Sequence, residues 1–540
     1  MKHIFLLSFC FCLITSCKQK DKTQTTSELR TTKISSPEDE IFYHLFQRSF
    51  YDSNDDTHGD INGVTEKLDY LEDLGITSIL MTPLYKSIYY HNYFPDDFKK
   101  IDEEYGTFDD YNEMVKAIHK RNMKFYMDME IHYVTKNHIW FKDSFENPDS
   151  EYSDYIVYNG VDNTKPESMI FNLTSLESYN GESFDITTVD LADENVKTYM
   201  YDLFKYWVDP NKDGNFNDGV DGFRIDHMMD DLDWKGIREN LFVEFWAPLF
   251  EELRSINPNI KIFGEQANWN DLGEDYFSKG KVDMMFGFSV REGFMSFDKT
   301  TLINKVDSSK NATPKGKYQL IFLENHDIPR YASVVEGNSK KLKLGALFSI
   351  LNKGIPSIYY GQEIGMQGSG GMGKYGVSDG NDIPMREAFE WYKTVDGRGM
   401  PLWYKNTGPW WDDTTLKDND GISVEEQIND PNSLLSFYKE LIKLRKSNSA
   451  FTIGEQAFVN NTNTSIISFC RWQDNEKYLV LFNESNSAQT TSINSADLPF
   501  KLTENKLESI ISNKENSNSI KESKIDLILA PFGYTVLKIN

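Results

Sequence analysis

Four short segments place acidic or amide-bearing clusters at the ends of runs that read as buried strands. They are Lys124-Phe125-Tyr126-Met127-Asp128, Gly222-Phe223-Arg224-Ile225-Asp226, Ile260-Lys261-Ile262-Phe263-Gly264-Glu265 and Ile321-Phe322-Leu323-Glu324-Asn325-His326-Asp327. A carboxylate at the end of an apolar strand costs desolvation energy unless something uses it. Two carboxyl groups about 5–5.5 Å apart can act as nucleophile and as acid then base in displacement at a sugar carbon. Asp226, Glu265 and Asp327 are the candidates, drawn from distant parts of the chain. Arg224, two residues before Asp226, shares its strand face and can hold it ionised.

These segments need a scaffold that brings strand ends together. Strand-like runs at Ile41–Phe46, Ser78–Thr82, Lys124–Asp128, Gly222–Asp226, Ile260–Glu265, Asp283–Phe286, Gln319–Glu324 and Ser357–Gly361 make eight. Helical patterns stand between them, for example Val64–Leu74 and Tyr111–Arg121. The alternation predicts an α/β fold, a (β/α)8 TIM barrel with its chemistry on the C-terminal rim. The stretch 132–189 is too long for a loop and too irregular for one helix, and reads as a subdomain inserted after strand three. From about Ser447 the pattern changes to short strands, Ser465–Phe469, Tyr478–Phe482, Ile525–Leu529 and Thr535–Ile539, a C-terminal β-sandwich over 447–540. The barrel domain then spans 39–446. A second excursion, Met366 to Asn419, holds Trp391, Trp403, Trp410 and Trp411, either sugar platforms or packing of a long rim loop.

The net charge of −27 argues against nucleic acid, whose phosphates need a basic face. Tyr and Trp, 29 and 10 residues, suit stacking on sugar faces as well as core. Lys2 and His3 precede an apolar run from Ile4 to Ile14 that is too short to span a bilayer. It ends Leu13-Ile14-Thr15-Ser16-Cys17, which resembles a bacterial lipobox. Residues 1–16 are then a signal peptide, Cys17 is the acylated residue, and 17–38 form a flexible polar tether to a membrane of the bacterial cell envelope. The alternative is an ordinary secretory signal with Cys17 incidental. Removal of the signal leaves Cys17 and Cys470, so a lipidated Cys17 excludes an intrachain disulfide.

The order and spacing of the carboxylate motifs resemble the α-amylase family (glycoside hydrolase family 13) over roughly residues 40 to 540. The resemblance implies Asp226 as nucleophile, Glu265 as acid/base and Asp327 as the carboxylate that steadies the charge of the transition state. It implies substrate contacts from Tyr93 and His91 in Tyr90-His91-Asn92-Tyr93-Phe94, and from Asp128, Arg224, His326 and Arg330. Gly354-Ile355-Pro356-Ser357-Ile358-Tyr359-Tyr360-Gly361-Gln362-Glu363 resembles the strand-eight signature and is expected to close the barrel. Two departures matter. The family follows the strand-three Asp with Asn four residues on and then His; here His132 and Tyr133 stand there. Tyr133 is expected to replace the missing imidazole as a donor to sugar, or else to pack beneath the insertion. A Lys-His pair common after the nucleophile is replaced by Met229 and Asp230, so leaving-group recognition differs.

Asp52-Ser53-Asn54-Asp55-Asp56-Thr57-His58-Gly59-Asp60 spaces oxygen side chains at alternate positions, as a hard cation requires. It resembles a calcium loop of oligosaccharide-acting family members. Asp52, Asn54, Asp56 and Asp60 would supply side-chain oxygens, and His58 its carbonyl, to a structural Ca2+. Asp209, Asn211, Asp213 and Asp218 begin like a second loop but lack the Glu at position 12. His119 and His138 read as surface residues.

Together these features predict a membrane-tethered retaining glycosidase that cleaves α-glucosidic bonds of starch-like glucans or maltodextrins. The alternatives are an exo-acting α-glucosidase, a neopullulanase-like or transglycosylating enzyme, and a non-catalytic glucan-binding lipoprotein.

Overall fold

The computed structural model of the chain describes residues 36–371, 373–502, 506–521 and 523–539. The expected signal peptide, Cys17 and nearly all of the tether lie outside them. Among the described residues no helix is long and apolar enough to cross a membrane.

Eight parallel strands close a barrel in sequence order: β1 (Phe42–Leu45), β2 (Ser78–Met81), β3 (Lys124–Met129), β4 (Gly222–Met228), β5 (Lys261–Gln266), β6 (Met284–Phe286), β7 (Tyr318–Ile321) and β8 (Ile355–Tyr359). Strand parity decides which side chains reach the interior. Phe125, Met127 and Met129 of β3, with Phe223 and Ile225 of β4, join the large core beneath the helices. Their alternates therefore point inward. Phe42, Leu80, Tyr126, Phe263, Met284, Phe286, Leu320 and Ile355 fill a separate inner cluster. Above it lie the inward polar residues Asp128, Glu130, Arg224, Asp226 and Glu265. Asp128 pairs in register with Arg224 across β3 and β4. Gly222 permits this approach, since a Cβ there would lie 2.4 Å from the Lys261 carbonyl oxygen and from the Tyr126 ring.

The helices turn apolar faces to this barrel. Thr107 and Asp110 form a capping box that starts the helix Phe108–Lys120, and Tyr111, Met114, Val115 and Ile118 are its buried stripe. The expected helix Val64–Leu74 is two, Ile61–Glu66 and Leu68–Leu74, broken at Lys67.

The insertion after β3 is more ordered than its composition suggested. It carries the helix Ile139–Ser144 and a three-stranded sheet in the order Tyr133–Thr135, Ser183–Thr188, Ser175–Glu177. His138, expected at the surface, is buried and caps that helix by accepting from the Trp140 amide. His119 spans Asn217 O and Asp221 Oδ2, both at 2.8 Å.

The C-terminal region packs a five-stranded antiparallel sheet (Glu455–Phe458, Ile466–Gln473, Glu476–Asn483, Leu507–Ser512, Tyr534–Ile539) against a three-stranded one (Gln489–Asn494, Ser517–Lys521, Lys524–Leu529). Leu479, Leu481, Leu537, Ile493, Ile525 and Leu527 lie between them. Cys470 is a buried free thiol there. Phe482 reaches the barrel side, packing near Phe294 and Phe348, and the buried Arg471 donates to Leu351 O at 2.7 Å.

Candidate active site

The inward residues of β3, β4 and β5 meet around one guanidinium. Arg224, with no exposed side-chain surface, donates through Nη1 to Asp128 Oδ1 and Oδ2 at 2.8 and 2.7 Å and to Asp226 Oδ1. Its Nη2 lies 2.6 Å from Glu265 Oε2. One cation thus meets three carboxyl groups from three strands. Asp226, Glu265 and Asp327 keep 19%, 8% and 29% side-chain exposure, so each still reaches solvent at the rim.

Asp327 arrives differently from expectation. β7 stops at Ile321, so Asp327 stands on the following loop rather than on the strand end. Arg386 places it, with Nη2 at 3.2 Å from Asp327 Oδ1 and 3.1 Å from Asp382 Oδ2, and Nε donating to His326 O at 2.9 Å.

The floor is aromatic. The Tyr93 hydroxyl donates to Asp128 Oδ2 at 2.8 Å and meets His326 Nε2 at 2.8 Å, and the two rings stack at 5.3 Å. The other His326 nitrogen faces His44 Nε2 at 3.3 Å. His91 is buried beside Tyr93, its Nδ1 accepting from the Tyr93 amide at 3.1 Å.

Burial and charge set the protonation states apart. Burial pushes Glu265 well above the ordinary glutamate range, and the neighbouring charges of Asp226 and Asp327 add to it against the pull of Arg224. Burial acts on Asp226 too, but there Arg224, a hydrogen bond from Glu130 and the nearby His227 prevail and hold it below the usual value. Asp327 is pushed up to about 6 and Asp128 to about 7, in both cases by burial opposed by arginine. A carboxylate kept charged beside a carboxyl kept protonated is the division of labour that retaining displacement requires.

Other expected contacts lie elsewhere. Arg330 is fully buried away from the cleft: Nη1 donates to Tyr360 O at 2.6 Å and to Glu324 Oε1 at 3.2 Å, and the guanidinium lies over the Tyr359 and Tyr360 rings. It braces the β7 and β8 ends. The Tyr133 hydroxyl donates to Asp233, while its ring packs with Tyr89, Phe94, Met169 and Ile186. Met229 is buried, and the Asp230 carboxylate accepts from the Phe242 amide at 2.8 Å. In the excursion after β8, Trp391, Trp403 and Trp410 are buried, with indole N–H groups bound to Phe50 O, Ser49 Oγ and Thr407 Oγ1. Those three are packing residues rather than platforms.

The loop 52–60 is folded on itself. Asp52 Oδ1 accepts from the amides of Asn54, Asp55 and Asp56, and Oδ2 from Thr57. Asn54 and Asp56 accept from the amides of Asp56 and His58, and Asp60 caps the following helix at Gly63. In this conformation the side-chain oxygens accept from the loop's own N–H groups. The second loop behaves alike, with Asp209 accepting from Asp213 and Gly214, Asn211 from Asp213, and Asp213 from Asn215; Asp218 is buried beside it. Among the described residues no group of three or more His, Cys, Asp or Glu side chains is placed to hold a metal ion.

Residues not singled out from the sequence complete the site. Glu130, two residues after Asp128 and so on the same inward face, hydrogen-bonds Asp226, and burial with that charge keeps it protonated. Its parity was the available signal. Asp233 and the Arg386–Asp382 pair carried none, because only the folded loops bring them to the rim, and His227 carried none because an irregularity in the pairing of β4 sets its direction.

Residues 44–454 of the chain, well over half of it, match the family Alpha-amylase (alpha amylase, catalytic domain). The chain belongs to the α-amylase family. It is a glycosidase acting on α-glucosidic bonds, with a catalytic domain of the retaining kind. The chain is 27% identical over 517 residues to Alpha-amylase 3 of Dictyoglomus thermophilum, covering 92% of this chain and 93% of that protein. It is also 27% identical over 520 residues to an oligo-1,6-glucosidase of Parageobacillus thermoglucosidasius, covering 82% and 90%. Among solved structures, the α-amylase from H. orenii superposes with a TM-score of 0.75 at 26% identity, over 93% of this chain and 99% of that one. A trehalulose synthase shares the fold at 22% identity and a TM-score of 0.71, over 93% and 99%.

Proposed function

We propose that this enzyme is exo-acting: it removes glucosyl units from the non-reducing ends of short α-glucosides, with Asp226 as nucleophile, Glu265 as acid/base and Asp327 steadying the transition state. Transfer to sugar acceptors accompanies hydrolysis. The observation that supports the reading is the joined wall beside Tyr93. The insertion bridges to the excursion after β8 at Glu177–Ser378. The Tyr90 hydroxyl donates to Asp379 O at 3.0 Å, Tyr179 packs edge-on against Tyr90 and Trp403, and the Tyr89 hydroxyl donates to Leu176 O and Phe184 O. A wall joined in this way favours a chain end over the middle of a long glucan. Relatives named as oligo-1,6-glucosidase, cyclomaltodextrinase and 4-alpha-glucanotransferase agree with a short-substrate or transferring enzyme.

Chromatography of early products from amylose, maltotriose, pullulan and sucrose tests this, together with a maltoheptaoside blocked at its non-reducing end. Glucose and transfer products from the short substrates, with the blocked one untouched, support the proposal. Rapid internal cleavage of amylose and of the blocked oligosaccharide returns the enzyme to starch-like glucans and endo action.

Two further expectations belong to this proposal. Calcium at 52–60 would take the oxygens of Asp52, Asn54, Asp56 and Asp60, so added Ca2+ should raise Tm in the wild type and not in Asp52→Ala. An unchanged melting curve with chelator and with Ca2+ removes the site. Tethering through Cys17 predicts that Cys17→Ala leaves the membrane fraction or keeps its signal uncleaved; a cleaved variant that still partitions with membranes removes it.

A further inference from the structure

The family presents a histidine from strand three to the reacting sugar, and here that position is Tyr133. Neither residue of the altered pair is free for substrate. His132 is fully buried, with Nδ1 at 2.9 Å from Glu130 Oε1, and the Tyr133 hydroxyl is committed to Asp233. An imidazole nevertheless stands beside the nucleophile, one residue on from Asp226.

His227 sits at an irregularity in the barrel. Gly264 pairs with Ile225 and Gln266 with Met228, so Asp226 and His227 of β4 together face Glu265 of β5. Such a bulge re-aims the side chains beside it. His227 takes φ 47°, the left-handed region that a residue with a Cβ seldom occupies. Asp233, which meets its ring, has φ 59°. The His227 amide donates to Glu265 Oε2 at 3.2 Å. Its Nε2 lies 3.1 Å from Asp233 Oδ1, the same oxygen that accepts from Tyr133. A carboxylate only accepts, so Nε2 carries the hydrogen. Nδ1 has no hydrogen-bond partner among the described residues. The His227 side chain is 15% exposed whereas that of Asp233 is 1% exposed. The ring lies close enough to influence both Asp226 and Glu130.

We propose that His227 is a substrate-contacting residue that supplies from strand four the imidazole missing from strand three. Its Nδ1 makes a hydrogen bond with one hydroxyl of the glucosyl unit held at Asp226. Asp233 fixes the ring plane, and Tyr133 is a positioning residue that acts through Asp233. The inference rests on the family's retaining chemistry and not on the exo-acting reading, because a glucosyl fluoride serves an endo- or an exo-acting enzyme alike.

The test is a cycle between His227 variants and α-glucosyl fluorides lacking one hydroxyl at a time, with melting curves on every protein. His227→Ala should lower kcat/KM on the parent fluoride about tenfold, the scale of one hydrogen bond at a reacting centre. One deoxy substrate should lose a similar factor with the wild type and nothing further with the variant. Tyr133→Phe should show a smaller loss against that same hydroxyl. If His227→Ala fails to fold, His227→Gln is put through the same cycle. Additive losses at every hydroxyl overturn the proposal. So does a loss that appears with maltosides but vanishes with the fluoride, which would move the contact to the leaving-group side.

Discussion

The role of Glu265 makes a demanding prediction. Glu265→Gln keeps the shape of the side chain and an oxygen to accept from the His227 amide, but it cannot pass a proton. In the wild type, burial and the charges of Asp226 and Asp327 keep this carboxyl protonated above the ordinary range, even with Arg224 Nη2 at 2.6 Å. A positioned general acid is worth about 10²–10⁴ in rate. At 1.36 kcal/mol per tenfold, that is about 3–5 kcal/mol of barrier. On a maltoside, whose leaving group must be protonated, kcat should fall by that factor. On α-glucosyl fluoride the first step needs no proton, so the loss there should be small. Return of water still needs Glu265 as base, so the glucosyl group should accumulate on Asp226 and give a burst of fluoride followed by slow turnover. Rapid-quench fluoride release and intact-protein mass spectrometry read both effects. The wild type should lose activity on the alkaline side as Glu265 ionises, and the variant should lose that limb. Equal losses on fluoride and maltoside without a burst, or near-full activity on maltoside, would refute the assignment.

Asp226→Asn should abolish both the burst and the covalent adduct while leaving the melting temperature close to wild type. Because Asp327 is pushed up to about 6 while Asp226 is held below the usual carboxylate value, the acid limb of wild-type kcat/KM should follow Asp327, near pH 6, which a pH profile measures. Arg224→Leu removes the shared partner of three buried carboxylates and should cost about 3–5 kcal/mol in denaturant unfolding, along with activity. Glu390 is buried and raised to about 9, chiefly by burial, from an unfolded value of about 4.3. Its folded form binds the proton more tightly, so the wild type loses stability as pH rises between those values. Glu390→Gln should therefore match the wild-type Tm near pH 4 and exceed it increasingly up to about pH 9; a constant difference across that range would refute the sign.

The order of the motifs made the barrel legible in the sequence. Apolar runs with period-two parity at 124–129 and 222–228 place Asp128, Arg224 and Asp226 inward whatever the loops do, because a strand leaves its side chains only two faces. The same parity held the signal for Glu130, which the family pattern obscured. Asp327, Arg330 and Tyr133 show the limit. Each lies on or after a loop, where side-chain direction follows from tertiary contacts rather than from a repeat. Arg330 turned inward to Glu324 and Tyr360, while Arg386, from an excursion with no motif, took the place beside Asp327. The sequence also spaced oxygens at 52–60 as a cation would want, but the same Asp and Asn side chains satisfy nearby backbone N–H groups equally well. The residue types by themselves determined the carboxylates and the strands that carry Asp226 and Glu265. Only the tertiary structure decided which arginine serves which carboxylate, that the insertion joins the excursion after strand eight, and that an imidazole stands on strand four, since each depends on segments distant in sequence meeting at one rim.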